Sequence, residues 1–183
     1  MALTDDLRRI ADVAVRHAAP DEELSAVIPT EPAGSTRVYL VAYTAGESKS
    51  WLALDADGQP VEDRRVLRDA VSIAGMVELA EETAGGGHLP ELRAQLETLR
   101  ATDAPDGLDE AAAALDELER TLGDELRVAS PAYLDEVGQA TRRLEQALGD
   151  TGASPFLEAM KQASLTIDGL AADIESHYKV PLI

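Results

Sequence analysis

The side chains best suited to chemistry in this chain are few and far apart. Three histidines are present. His17 falls near the end of an amphipathic stretch, where a cation suits the negative end of a helix dipole. His88 follows the Gly85-Gly86-Gly87 triplet. His177 lies four residues after Asp173, so the two share one helical face. That pair could form half of a metal site, or a base with its orienting carboxylate. A metal-dependent enzyme would need further carboxylates from neighbouring helices, and no second helix carries the Glu-x-x-His of a di-iron bundle. The spacing favours a surface ion pair.

Other catalytic patterns fail on residue type or spacing. With no cysteine, thiolate nucleophiles, disulfides and Cys-ligated metals are all excluded. No Gly-x-Ser-x-Gly turn is present for a nucleophilic serine. The glycine triplet lacks the Lys-Ser/Thr ending of a phosphate loop, and no Gly-x-Gly-x-x-Gly follows the first expected strand. The carboxylate pairs Glu81-Glu82, Asp116-Glu117 and Asp135-Glu136 are adjacent in helical stretches. Their side chains diverge by about 100°, so none makes an acid/base dyad. Asp55-Ala56-Asp57-Gly58 resembles the start of a calcium loop, but its glycine comes too early and Gln59-Pro60 follows. A tight turn into a short third strand near Val61 is favoured. The sequence thus assigns no catalytic residue, no metal ligand and no cofactor.

Two constellations suggest binding. Tyr39, Tyr43 and Trp51 could line a small-molecule pocket between a sheet and its helices, or simply fill a core. Arg64, Arg65 and Arg68 form the most basic spot and could hold an anion. Glu62, Asp63 and Asp69 beside them favour a self-compensated, solvated face.

The elements that must position these residues divide by hydrophobic period. Leu3 to Ala19 fits an amphipathic helix with a stripe of Leu7, Ile10, Ala11, Ala14 and Val15, and Pro20 follows its end. Asp21 to Val27 reads as one or two helical turns, after which Pro29 and Pro32 impose an extended linker. A β-hairpin spans Thr36 to Asp55, with the turn at Ala45-Gly46-Glu47-Ser48. Its register would pair Tyr43 with Ser50, Val41 with Leu52 and Tyr39 with Leu54, with Val38, Leu40, Ala42, Trp51 and Ala53 on the opposite face. Both faces are apolar, so something must cover each. Flanking helices can cover one side; the helical half, more strands or a second copy must cover the other. Val61 to Thr83 reads as a broad-faced helix capped by Asp63.

Beyond the glycines the period changes from two to about 3.6. Four helical runs follow: from Leu89 to Leu99, from Leu108 to Leu122, after Ser130-Pro131, and after Ser154-Pro155. Short loops make sequence neighbours antiparallel. The last run could reach about 24 residues, or about 36 Å, against about 13 residues for the first. It should therefore reach the hairpin unit or another subunit, presenting Leu157, Met160, Ile167, Ile174 and Tyr178 as an interaction stripe.

Composition bounds the function. The chain has 183 residues, 45% of them hydrophobic and 3% aromatic, with a mean hydropathy of -0.15. It reads as an α+β, predominantly helical fold: residues 1–87 form an α-β-β-α unit and residues 88–183 a four-helix, bundle-like unit. The glycines between them read as a hinge. Net charge is -19. Sixteen acidic and eight basic residues precede residue 85, and nineteen and eight follow, so the acidity is not confined to a tail. Such a field opposes nucleic acid and anionic lipid. No apolar run reaches the roughly 18 residues of a membrane span, and the charged start lacks a signal-peptide core. Cytoplasmic residence follows, and the Ala- and Arg-rich composition suggests a bacterial origin. The favoured expectation is a non-enzymatic adaptor, chaperone or regulator acting on a protein partner, basic in the sharper reading, and forming a dimer. A small-molecule binding domain and a metal-dependent enzyme using Asp173 and His177 are the alternatives.

Overall fold

The computed structural model describes residues 3–34, 36–85, 88–102, 107–123, 127–149 and 169–183. Helix α1 (Leu3–His17) precedes three strands, β1 (Glu23–Thr30), β2 (Val38–Ala45) and β3 (Ser48–Asp55). Helices α2 (Arg64–Gly85), α3 (His88–Thr102), α4 (Leu108–Leu122) and α5 (Pro131–Ala147) follow, and residues 169–176 are helical. This is the expected α+β, predominantly helical fold. The strands form one antiparallel sheet in the order β1-β2-β3. The hairpin register matches the reading from sequence, with Tyr39 opposite Leu54, Val41 opposite Leu52 and Tyr43 opposite Ser50.

Packing divides the chain into two compact units, neither of them continuous in sequence. The first comprises Met1–Gly75, Leu126–Pro131 and Ser164–Ile183; the second comprises Met76–Glu125 and Ala132–Ala163. The division falls inside α2, between Gly75 and Met76, and α2 runs on to Gly85. Gly86 and Gly87, where a hinge was expected, lie outside the described residues.

In the sheet unit, both apolar faces are covered by the chain itself. Ile10 and Ala14 of α1 pack on Tyr39, Val41, Tyr43, Leu52 and Leu54. On the other face, Leu67, Ala70 and Val71 of α2 and Ile174 of the C-terminal helical segment pack on Val38, Leu40 and Ala53. The second face therefore does not need a second copy of the chain to cover it.

The stretch expected to form helical turns and a linker is instead strand β1, paired with β2 through a bulge between Leu24 and Ala26. Pro29 is tolerated because β1 is an edge strand and this residue faces away from β2. Its carbonyl accepts the Ala129 N–H at 2.9 Å, and Glu31 N–H returns a bond to Ala129 O at 2.8 Å. A short piece of chain before α5 thereby covers the end of the outer edge of β1, at Pro29–Glu31.

The opposite edge is sealed residue by residue. Trp51 N–H donates to His177 O at 3.0 Å and Trp51 O accepts Lys179 N–H at 2.9 Å. Ala53 N–H donates to the Tyr178 hydroxyl at 3.0 Å, Ala53 O accepts Val61 N–H at 2.8 Å, and Asp55 N–H donates to Gln59 O at 2.9 Å. The turn that returns the chain is the one expected at Asp55-Gly58. Asp55 Oδ1 accepts the N–H groups of Asp57 and Gln59, and Gly58 adopts φ +81° against Val13. The Asp55 carboxylate thus serves a turn.

The second unit is built from neighbours in sequence. Leu96, Leu108, Ala111, Ala114, Leu115, Leu118, Ala140 and Leu144 form one buried cluster. Arg93 of α3 bonds Asp116 and Glu119 of α4, while Arg100 pairs with Asp109. Pairs that run in opposite directions along the two helices fix them as antiparallel. The fourth helix expected after Ser154-Pro155 lies outside the described residues up to residue 168.

Candidate functional site

Strand alternation decides where the aromatic residues go. Tyr39 and Tyr43 are four apart on β2, an even spacing that puts both on the α1 face, where they are 1% and 0% exposed. Trp51 packs with the cluster on the opposite face. The three do not converge on one pocket, because a pleated strand sends alternate residues to opposite sides. Tyr43 donates its hydroxyl to Ala14 O at 2.8 Å, so its polar end is used inside the unit. Burial, followed by the charge of Glu22, pushes its phenol up to about 12.

The interaction stripe expected on the last helix is only partly within view: Leu157, Met160 and Ile167 lie outside the described residues. Ile174 is 2% exposed in the sheet core. Tyr178 packs against the clusters on both faces. Its hydroxyl donates to Val61 O at 2.7 Å and accepts from Ala53 N–H; burial raises its phenol to about 12. These two residues hold the unit together and do not face outward.

Asp173 and His177 are both exposed. His177 Nδ1 lies 3.5 Å from Asp173 Oδ1, and the same nitrogen is 2.9 Å from Ser176 Oγ. A serine–histidine–carboxylate relay needs the two partners on different ring nitrogens. This arrangement puts both on one, and Ser176 donates its hydroxyl to Asp173 O. Among the described residues, no group of three or more His, Asp or Glu side chains could hold a metal ion.

Arg64, Arg65 and Arg68 line a shallow depression of about 600 Å³ with Asp63 and Ile183. The N-terminus of α2 behind them is already occupied. Asp63 Oδ1 accepts Arg65 N–H at 2.8 Å, and Ile183 O accepts Arg64 N–H at 3.2 Å. Arg68 pairs with Glu175, which Arg64 also approaches at 3.8 Å. Arg68 above all holds the Glu175 carboxyl below the ordinary carboxylate range. Arg64 and Arg68 are compensated by Glu175, which comes from far along the chain.

The most developed polar cluster is one that sequence reasoning missed. Glu22 sits between α1 and β1, where its Oε2 accepts Ala19 N–H at 2.7 Å and also pairs with Lys179 Nζ. Its Oε1 accepts the Ser50 hydroxyl at 2.6 Å. The Ala19 N–H, then Lys179, then Ser50 hold the Glu22 carboxyl down to about 2. Lys179 Nζ also donates to His17 O at 3.0 Å and lies 4.4 Å from the centre of the Tyr43 ring, a cation–π distance. The bonds of this cluster join the end of α1, β3 and residues 177–180, which makes it a fastening between them. The one sequence signal was rarity, since Lys179 is one of three lysines.

No protein family, curated protein or solved structure matches this chain. No helix among the described residues is long and apolar enough to cross a membrane.

Proposed function

We propose that this chain is a non-enzymatic acidic protein that works by binding a basic protein partner through its charged outer surface. The carrying observation is a net charge of -19 displayed on carboxylates left without a cation. Glu47, Glu78, Glu82, Glu110, Asp135 and Glu136 are exposed and have no cationic partner among the described residues. Such a surface raises the local concentration of a cationic partner and speeds its capture. The hairpin faces and edges are occupied by the chain itself, so the partner meets helices and loops. Cytoplasmic residence belongs to this reading. A dimer is not needed for it. The sheet face that was one argument for a dimer is covered from within, and the other argument, the long last helix, rests largely on residues outside those described.

The test uses two charge-reversed variants of equal net charge, Asp135→Lys with Glu136→Lys, and Glu78→Lys with Glu82→Lys. Each is titrated against a lysine- and arginine-rich peptide at low and moderate salt. Saturable binding that weakens with salt, and more for one variant than the other, supports a defined acidic surface. Affinity that depends only on net charge, or equal binding to double-stranded DNA, sinks it.

A further inference from the structure

The outer edge of β3 is closed by a segment that arrives 126 positions later than Trp51 in the chain, and its attachments are of two kinds. Residues 169–176 are helical, with Ile174 2% exposed in the core. At His177 the helix ends, its N–H bonding Asp173 O at 3.2 Å and Ile174 O at 3.3 Å. From there, residues 177–180 lie along β3 in parallel, bridging at Trp51 and Tyr178. Both backbone bonds of this bridge go to a single residue, Trp51, whereas β2 pairs with β3 along all eight residues of that strand. The rest of the grip comes from side chains: the Tyr178 hydroxyl on Ala53 and Val61, and the Lys179 ammonium on Glu22 and His17 O.

We propose that residues 177–180 are a strap with an opening equilibrium of its own, fastened by the Lys179–Glu22 pair, whose release frees the outer edge of β3 while the three strands stay paired. Ile174 is the anchor that stays, and the helix end at His177 is the hinge. The Glu22 carboxylate and the Lys179 side chain are 13% and 17% exposed, so their attraction is weakly screened and its loss leaves a charge without its partner. An opened β3 presents the Trp51 N–H and C=O to solvent, the unpaired edge that sheet proteins ordinarily keep covered. This device stands apart from the acidic surface, and its fate does not decide the basic-partner reading.

Amide hydrogen exchange of the full chain tests it, comparing the wild type with Lys179→Met and Glu22→Gln. In the wild type the Trp51 and Lys179 amides should exchange through an opening at least about tenfold more populated than the one that exposes the Val41 amide of central β2. Both variants should speed Trp51 exchange about tenfold or more. Protection of Trp51 equal to that of Val41 in the wild type, or no acceleration at Trp51 in the variants, overturns the proposal. Should neither variant fold, the wild type is measured in increasing urea below its transition. A separate strap makes Trp51 exchange less dependent on urea than Val41 exchange, because little surface is uncovered. Equal dependence overturns it.

Discussion

The two units of this chain solve the same packing problem with partners drawn from opposite distances. In the helical unit, Arg100 pairs with Asp109 nine residues on, and Arg93 reaches Asp116 and Glu119 at 23 and 26. In the sheet unit, Ala53 bonds Tyr178 across 125 positions and Lys179 reaches Glu22 across 157. The local pairs are largely exposed, with Arg100 and Asp109 side chains at 56% and 94%, while the distant pair is mostly buried. Local helix contacts need little help from charge, since apolar stripes already set the packing. Distant segments must first close a long loop, so their contacts have to offset a larger entropy.

Breaking Tyr178 should have the largest effect, because it serves both faces of the sheet at once. Tyr178→Ala should cost about 3–5 kcal/mol in urea unfolding. Tyr178→Phe should cost about 1–2 kcal/mol by stranding the Ala53 and Val61 groups. A cost below about 1 kcal/mol for the alanine variant would show that the C-terminal segment merely rests on the sheet. Next comes Leu115, fully buried in the helical unit. Leu115→Ala should cost about 2–5 kcal/mol, read by helical circular dichroism. A smaller loss there means that the helix packing relaxes around the gap.

Glu22→Gln follows, at about 1.5–3 kcal/mol, since a charged hydrogen-bond acceptor is lost. It also has a pH signature. The folded carboxyl titrates at about 2, below the ordinary value near 4.3, so its stabilisation is complete above that ordinary value. It is lost as pH falls toward 2. Wild-type stability should decline through that window, and Glu22→Gln should decline less; parallel curves would refute the assignment. The smallest effect belongs to Arg100→Ala, at about 0.5 kcal/mol or less, because both partners of its ion pair are exposed. A loss comparable with that of Glu22→Gln would erase the contrast between the two kinds of pair.

Legibility in the sequence followed the same division. Leu108, Leu115 and Leu118 recur at helical spacing, and that period alone placed α4 in its cluster. The hairpin was equally legible, because its turn and its alternation are local. β1 was not: Pro29 argues against a strand until its neighbours show that its missing N–H faces an edge. Tyr39, Tyr43 and Trp51 were identified as important aromatics, but their grouping into one pocket ignored the alternation that separates them. Glu22 and Ser50 carried no pattern at all.

Composition, hydrophobic period and turn residues therefore determined the fold class, the hairpin register and the acidic surface, since each depends on residues within a few positions of one another. Tertiary structure alone decided that the chain covers its own sheet on both faces, closes the β3 edge from Trp51 to Asp55, and joins Glu22 to Lys179. The bonds of Tyr178 to Ala53 and of Lys179 to Glu22 unite residues more than a hundred positions apart, and no periodicity in a sequence records which distant segment a chain will choose.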